Sequence, residues 1–439
     1  MRWVAETAWL GGDGLVSDVV IEVDGGRFTR VEPGADASGA TRLPGVTLPG
    51  LVNAHSHAFH RLLRGRTHRR GGDFWLWRDQ MYEVARGLTP ERYERIATAV
   101  FIEMAMAGIT AVGEFHYVHH QTDGRPYESP NEMGHALIRA ARTAGIRICL
   151  LDAGYFTAGF GNTELSPVQE RFRDSSPEAW MSRARELADA YEGSADVRVG
   201  LAPHSVRAVP PETLRLVGTE VSADEPLHVH LSEQPAENLE CEQATGMTPT
   251  ALLGESGLLG SAATLVHATH LTSSDIEEIG LSHSRVCYCT TTERDLADGI
   301  GPSARLSSAG ASMCVGSDSH AVVDLFEEAR GIEMHQRLST GRRGVHSASE
   351  LVSAMTAGGA SSLGLDGGML EEEAPADFVV VDLDSPRLAG FEMEHGLETI
   401  VFAATNADVS DVFVGGRQII RGGRHHGWDG ARPALAPPG

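Results

Sequence analysis

The chain has 439 residues, of which 41% are hydrophobic and 22% charged, and its formal net charge is −24. This composition is typical of a soluble globular protein built as one large domain with an appendage, or as two or three smaller domains. The negative charge argues against a nucleic acid or an anionic membrane as a partner. No apolar stretch is long enough to cross a bilayer, and the N-terminal residues MRWVAETAWLGGDG lack the apolar core of a signal peptide, so we expect a cytoplasmic protein.

The predicted elements begin with short β-strands, LVSDVVIEV and RFTRVEP, separated by turns rich in Gly and Asp. From about Val46, strand-like apolar runs alternate with helical segments rich in Ala, Arg and Glu. The predicted strands are VTLPGLVNAH, GITAVGEF, IRICLLDA, VRVGLAP, LHVHLS, ATLVHA, RVCYCTT and SMCVGSD. Strand–helix alternation repeated about eight times predicts an α/β fold of the (β/α)8 TIM-barrel type.

After about Leu370 the pattern predicts no helices, and the short strands ADFVVVDLD and VSDVFVGGRQIIRGG follow. We expect these strands to join the N-terminal ones in a small β domain built from both chain ends. The predicted divisions are residues 1–45 and 370–430 for the small β domain, 46–369 for the barrel and 431–439 for a disordered tail.

Polar side chains at the ends of different predicted strands form a candidate metal site: His55, His57, His230, His267 and Asp318. His55 and His57 are two residues apart, so both rings project to one side of the strand. His228 and His230 repeat this spacing; either could bind, and His230 is nearer the strand end. Imidazoles and one carboxylate suit a divalent metal, such as zinc, that keeps one position open for water. Together they predict metal-activated hydrolysis at the C-terminal rim of a barrel.

Three polar residues, two of them in this set, suit proton transfer or stabilisation of the reacting centre. Asp318 in VGSDSH can bind a metal and accept the proton of an attacking water, although an aspartate there can also cap a helix. Glu233, three residues after His230, can pass a proton to a leaving nitrogen, as a deaminase requires; the alternative is a surface loop glutamate. His267 can steady a tetrahedral centre, or be a core imidazole bonded to the backbone.

All 36 basic residues are arginine, because the sequence contains no lysine. This excludes Schiff-base chemistry, pyridoxal-phosphate attachment and a phosphate-loop lysine. It also excludes the carbamylated lysine that bridges two metals in many hydrolases, so a metal site here is expected to hold one ion. The five cysteines are few and odd in number, and we expect buried free thiols.

Longer motifs carry a family resemblance. HSH after PGLVNA, HLSE, LVHATH and GSDSH resemble the metal-dependent amidohydrolase superfamily in its deaminase branch. FWLWRDQMY, GEFHYVHH, APHSVRAV and TTERDLADG resemble the formimidoylglutamate deiminases of histidine breakdown. The resemblance covers essentially the whole chain. It implies a homodimeric enzyme that hydrolyses N-formimidoyl-L-glutamate to N-formyl-L-glutamate and ammonia at one Zn²⁺ per chain.

The resemblance also implies roles for residues that match the motifs. The implied metal ligands are His55, His57, His230 and Asp318, and the implied catalytic groups are Glu233, His267 and Asp318. The implied substrate contacts are His60, Arg78, Tyr117, His204 and Arg207. Arginine is the side chain best suited to the two carboxylates of a glutamate moiety, although Arg78 could also form a structural ion pair and Arg207 a helix-end charge.

One position departs from the family pattern, because some members have glutamine where this chain has His60. The charge of an imidazole depends on pH, so this contact differs from an amide contact. The segment from Arg61 to Thr89 is a candidate cover for the site.

Other functions remain open at this point. A deaminase of the same barrel acting on a purine or another heterocyclic amidine is the nearer alternative. A catalytically inactive scaffold and a binding protein for an acidic metabolite are more remote, because every expected catalytic group is present.

Overall fold

The computed structural model describes residues 1–68, 74–161 and 163–436. Its strands are β1 (Arg2–Ala8), β2 (Val16–Asp24), β3 (Arg27–Pro33), β4 (Thr41–Pro49), β5 (Leu51–Ser56), β6 (Ile109–His116), β7 (Arg147–Gly154), β8 (Val197–Pro203), β9 (Leu227–Leu231), β10 (Ala263–His267), β11 (Arg285–Tyr288), β12 (Ser312–Val315), β13 (Phe378–Val381), β14 (Val409–Val414) and β15 (Arg417–Arg421).

The helices of the same residues are α1 (Phe74–Arg86), α2 (Pro90–Met106), α3 (Glu132–Ala144), α4 (Pro177–Ala190), α5 (Pro211–Glu220), α6 (Pro235–Thr245), α7 (Pro249–Glu255), α8 (Ser273–Leu281), α9 (Thr290–Asp295), α10 (Ser303–Ala309), α11 (Leu325–Thr340), α12 (Ala348–Ala354), α13 (Ala357–Ser362), α14 (Gly396–Ala403) and α15 (Trp428–Ala431). Among these helices we find none with the length and apolar character needed to cross a membrane.

Strands β5 to β12 form one parallel sheet in sequential order, and helices connect them. The sheet closes on itself, because Ser56 at the end of β5 pairs with Asp318 after β12. Strands β6 and β7 are buried at every residue, as expected when helices cover the outside of a barrel and side chains fill its interior. The predicted (β/α)8 barrel is confirmed.

The second sheet has the strand order β15-β14-β13-β4-β1-β2-β3 and takes its strands from both chain ends. Its own core contains Trp3, Phe28, Phe378 and Phe413, and the last two rings stack with centroids 4.3 Å apart. The prediction of a small β unit built from both ends is confirmed.

Three details of the predicted elements are wrong. VTLPGLVNAH is not one strand: β4 stays in the small sheet as far as Pro49, and β5 enters the barrel at Leu51, so the small sheet extends past residue 45. Gly50 makes this crossing possible, because a Cβ there would lie 2.2 Å from the hydroxyl oxygen of Thr110. The residues of β4 and β5 form one continuous apolar run, so the sequence gives no sign that the chain passes from one sheet to the other.

Helices also occur after Leu370, contrary to expectation. Helix α14 buries Leu397, Ile400 and Val401. Its short run LETIVFA is rich in apolar and β-branched residues, so its composition does not distinguish a helix from a strand. The predicted disordered tail is ordered up to residue 436, because α15 and the 3₁₀ turn at Arg432–Leu435 pack against α2. Residues 437–439 of that tail lie outside the described residues.

The five cysteines are buried free thiols, as expected. Cys287, Cys289 and Cys314 pack together with Ala54 and Val266 inside the barrel. They fill its interior beneath the strand ends that carry the polar residues.

Gly316 lies at the junction where the barrel closes. A Cβ at this position would lie 2.7 Å from the Cβ of His55 and 2.8 Å from its carbonyl oxygen. The first and last barrel strands therefore approach this closely only because residue 316 has no side chain.

We predict that Gly316→Ala lowers the free energy of unfolding by about 1–3 kcal/mol, because the added methyl group forces β5 and β12 apart. The measurement is the midpoint of urea denaturation. Gly260→Ala is the matched control, since a Cβ at Gly260 meets nothing within 4 Å. Equal midpoints for the two variants would contradict the prediction.

Candidate active site

The C-terminal ends of the barrel strands surround a cavity of about 620 Å³. At its floor, the Nε2 atoms of His55 and His230 are 3.2 Å apart. Asp318 Oδ1 lies 3.5 Å from the Nε2 atoms of both His55 and His57. All four side chains are buried. Residues predicted from three separate motifs therefore meet at one point.

This geometry fits a divalent metal. Donor atoms about 2.1 Å from a tetrahedral ion are roughly 3.4 Å apart, close to the spacing found here. The Nδ1 atoms of His57 and His230 donate to the carbonyl oxygens of Phe115 (3.0 Å) and His204 (2.9 Å), which leaves the Nε2 lone pairs facing the centre. Burial lowers the pKa of His57 and of His230 well below the ordinary value, as a neutral ligand requires.

The structure separates His228 from His230. His230 is in a group of three histidines, with His55 and His57, whose ring nitrogens can hold a metal ion. His228 lies two residues earlier in β9, deeper in the barrel, and its Nε2 bonds to the carbonyl oxygen of Ser362 at 2.9 Å. The choice of His230 as the candidate ligand follows from this difference in depth.

Beside this group lie the three candidates for proton transfer. His267 Nε2 is 3.7 Å from Asp318 Oδ2 and 3.9 Å from Glu233 Oε1. Glu233 is buried and not a surface glutamate, and the N-cap of α11 is Asp324, so Asp318 is free of a capping role. Asp318 and His267 have φ angles of 40° and 72°, in the left-handed region that non-glycine residues seldom adopt. Such backbone conformations concentrate at functional sites.

The electrostatics of this cluster are strongly coupled. Burial alone would lower the pKa of His267, but the charge of Glu233, a hydrogen bond with Glu293 and the charge of Asp318 raise it to about 10. Burial would raise the pKa of Asp318, but its hydrogen bond and charge interaction with His55 hold it well below the ordinary value. The site thus favours an ionised carboxylate next to the histidines.

The predicted substrate contacts line the wall of the same cavity: His60, Arg78, Tyr117, His204 and Arg207. His60 Nε2 and the hydroxyl of Tyr117 are hydrogen-bonded at 2.8 Å. Burial lowers the pKa of His60 to about 3, so this imidazole is neutral. At the position where family members can have glutamine, the chain therefore also presents an uncharged polar group.

Arg207 is held between two carboxylates. Its Nε is 3.6 Å from Glu237 Oε2, and one of its terminal nitrogens is 3.7 Å from Glu233 Oε2. Both distances exceed a good hydrogen bond, and Nε makes none to the described residues. The guanidinium is therefore charged, restrained and still able to donate to a ligand in the cavity.

Helix α1 forms part of the cavity wall through Trp77, Arg78, Met81 and Tyr82. The fully buried Arg171 donates to the carbonyl oxygens of Ala85 and Leu88 near the end of this helix, and so fixes it to the barrel. The candidate cover from Arg61 to Thr89 thus contributes cavity-lining side chains, although its residues 69–73 lie outside the described residues.

Besides Glu237, sequence reasoning missed two buried glutamates that contact residues of the site. Glu114 accepts from the Ser56 hydroxyl at 2.5 Å and from the Ala58 amide at 2.7 Å, and so supports the loop that carries His57. Burial raises the pKa of Glu114 to about 8. Glu293 contacts His267. Both lie in motifs that carried the family resemblance, GEFHYVHH and TTERDLADG, and this was the only signal for either.

Comparison with known proteins places the chain in a family. The amidohydrolase family model matches residues 46–419, so the chain belongs to the amidohydrolase family. An amidohydrolase from Brucella melitensis has the same fold, with a TM-score of 0.90, 34% identity and coverage of 99% of this chain and 98% of its own. An adenosine deaminase from Xanthomonas campestris with bound zinc is 24% identical, with a TM-score of 0.84 over 99% of this chain and 97% of its own.

Sequence relatives indicate the type of enzyme within the amidohydrolase family. The chain is 38% identical to the formimidoylglutamate deiminase of Pseudomonas aeruginosa over 94% of each protein. It is 30% identical to the 5-methylthioadenosine/S-adenosylhomocysteine deaminase of Halobacterium salinarum, over 95% of this chain and 92% of the relative. The predicted resemblance to formimidoylglutamate deiminases is confirmed, and the protein is a hydrolase that acts on a C–N bond.

We predict that His230→Ala weakens the affinity for Zn²⁺ by more than about 100-fold. Loss of a residue that only hydrogen-bonds a metal ligand weakens metal affinity by about 10- to 100-fold, and loss of the ligand itself should cost more. His228→Gln, a change of the neighbouring buried histidine, should retain the affinity of the unmodified protein. Competition with a chromogenic chelator measures both. The prediction fails if the two variants bind Zn²⁺ equally.

Proposed function

We propose that the protein hydrolyses N-formimidoyl-L-glutamate to N-formyl-L-glutamate and ammonia, as a Zn²⁺-dependent cytoplasmic enzyme of histidine degradation. The observation that carries this proposal is that one cavity has potential metal ligands at its floor and two arginines on its wall. In the overall reaction, water adds across the C=N bond of the formimidoyl group, and the bond from that carbon to the imino nitrogen then breaks to release ammonia. The relative of 38% identity carries the name of this activity.

His55, His57, His230 and Asp318 would hold the metal. Nitrogen and oxygen donors in this number suit zinc, and an adenosine deaminase of the same fold contains zinc. When bound, a zinc ion lowers the pKa of a coordinated water toward about 7 and so supplies hydroxide near neutral pH. With no lysine in the chain, a single ion per chain is proposed.

Three side chains are proposed to move or hold protons. Asp318, whose Oδ1 lies 3.5 Å from the Nε2 atoms of His55 and His57, accepts the proton of the attacking water at its carboxylate. Glu233 delivers a proton to the nitrogen that leaves as ammonia. His267, whose Nε2 lies between the two carboxylates, donates to the oxygen of the tetrahedral centre.

The substrate carries two carboxylates, and the wall of the cavity offers matching groups. Arg78 and Arg207 are proposed to bind one carboxylate each, and His60, Tyr117 and His204 to add hydrogen bonds. A restrained, charged guanidinium such as that of Arg207 loses little freedom when it binds an anion. These interactions would place the formimidoyl carbon over the donor group.

The 30% identical relative, a deaminase of an adenosine derivative, supports a second candidate, a heterocyclic amidine as substrate. Two arginines in one cavity favour the dianionic acyclic substrate over a neutral purine. An inactive scaffold is disfavoured because the ligand group and the proton-transfer group are both complete. No nucleic acid or membrane partner is proposed, and the family resemblance supports a homodimer.

We predict that the zinc-loaded protein releases ammonia from N-formimidoyl-L-glutamate with a kcat/KM at least about 100-fold above that for adenosine, guanine or cytosine, because only the acyclic substrate pairs with both arginines. A coupled ammonia assay measures all four rates. A preference for one of the heterocycles would replace the proposed function with the second candidate.

We predict that Glu233→Gln lowers kcat by about 100-fold or more and leaves zinc binding intact, because the amide keeps the shape but cannot transfer the proton. Glu242→Gln, a change on the exposed face of α6, is the control and should have no effect. Unchanged turnover in Glu233→Gln would show that this carboxylate is not the proton donor.

We predict that Arg207→Ala mainly lowers kcat/KM for the dianionic substrate, by about 100-fold, and reduces the preference over a formimidoyl compound with only one carboxylate. Arg215→Ala removes an exposed ion pair with Glu255 and serves as the control. If the preference between the two compounds is unchanged in Arg207→Ala, this arginine does not bind a carboxylate.

A further inference from the structure

Glu293 is a buried glutamate in α9, within the TTERDLADG motif, to which no role has yet been given. Its Oε1 lies 3.4 Å from His267 Nδ1, on the side of the imidazole opposite the cavity. Glu293 is not among the cavity-lining residues. Any effect it has on the reaction must therefore pass through His267.

The same oxygen has a second donor. The backbone amide of Cys289 donates to Glu293 Oε1 at 2.9 Å. The Cys289 amide uses one lone pair of Oε1 and fixes the position of this oxygen. The second lone pair of a carboxylate oxygen can accept from His267 Nδ1 when this nitrogen carries the ring hydrogen.

The orientation of His267 depends on few other contacts. On the cavity side, Nε2 faces Glu233 Oε1 at 3.9 Å and Asp318 Oδ2 at 3.7 Å, and both distances exceed a hydrogen bond. The contact with Glu293 is the one hydrogen bond of this ring that the structure gives among the described residues. It is therefore the hydrogen bond that orients the ring, which also packs against the rings of His55 and His230.

We propose that Glu293 is a positioning residue, which holds His267 so that Nε2 is directed between Glu233 and Asp318. This rests on the proposed function insofar as His267 acts on the tetrahedral centre there. Because Glu293 does not reach the substrate, its loss should lower kcat and leave KM nearly unchanged. A carboxylate that fixes the tautomer and orientation of a catalytic imidazole has the same role in other hydrolases.

Two substitutions of Glu293 distinguish its effect on the orientation of the His267 ring from an effect on the stability of the fold. Glu293→Ala removes the acceptor, and we expect kcat to fall by about 100-fold with KM changed by less than about threefold. Glu293→Gln keeps an amide oxygen where the Cys289 amide requires an acceptor, and so should keep kcat within about fivefold of the unmodified enzyme. Equal losses in the two variants, or no loss in Glu293→Ala, would overturn the proposal.

The control is Glu328→Gln, a change of another buried glutamate that contacts α9. Glu328 accepts from the Thr291 amide at 2.9 Å and has no contact with His267 among the described residues. Its variant should lower the midpoint of urea denaturation without lowering kcat per zinc-loaded chain. If kcat fell as much in Glu328→Gln as in Glu293→Ala, the loss would come from changing any buried glutamate near α9, and the proposal would be contradicted.

Crystal structures of the zinc-loaded variants give a result that does not depend on activity. We expect the His267 ring to rotate in Glu293→Ala, with Nε2 displaced from Glu233 and Asp318, and to stay in place in Glu293→Gln. An unmoved ring in Glu293→Ala refutes the positioning role. Failure of the unmodified enzyme to act on N-formimidoyl-L-glutamate would instead refute the proposed function, and ring position would still test Glu293.

Discussion

Asp318 meets His55 and His57 because the last strand of the barrel pairs with the first. The amide of Asp318 donates to the carbonyl oxygen of His55 at 3.0 Å, and the amide of His57 donates to the carbonyl oxygen of Asp318 at 3.2 Å. Behind them, the side-chain oxygen of Asn53 accepts from the Ser317 amide at 2.9 Å. These bonds tie segments more than 260 residues apart into one rigid corner. The carboxylate and the two imidazoles are positioned by backbone pairing, and not by flexible loops.

Charge is arranged in layers around that corner. Neutral, buried imidazoles form the floor, since burial lowers the pKa of His57 and His230. Carboxylates surround His267 and, despite its burial, raise its pKa to about 10. Arginines line the wall, so that a chain with a net charge of −24 still presents cations to this cavity. The protein field as a whole would repel an anion at long range, and the local arginines must outweigh it at contact.

Much of this arrangement could be predicted from the sequence. Alternating strand and helix patterns indicate a barrel, and parallel strands bring their C-terminal ends to one rim, so polar residues after successive strands must be neighbours. A spacing of two places His228 and His230 on one face of the strand, so the choice of His230 depended on its position nearer the strand end, and the structure agrees with that choice. Sequence reasoning merged β4 with β5, since both are apolar and only the packing at Gly50 ends the first.

The supporting glutamates were beyond sequence reasoning for a different reason. Glu114 and Glu293 act on other side chains from neighbouring strands and helices, and no periodicity marks such a contact. Their roles appear only when the barrel is closed and distances are known. Metal sites generally need residues that hydrogen-bond the ligands and orient them. We therefore expect a sequence-based prediction to miss such supporting residues.

The most direct test of the account is anomalous scattering at the zinc absorption edge from crystals of the zinc-loaded protein. The account predicts one strong peak per chain, about 2.0–2.2 Å from the Nε2 atoms of His55, His57 and His230 and from a carboxylate oxygen of Asp318. A peak at another group of residues, or none among these four in fully loaded protein, would contradict it.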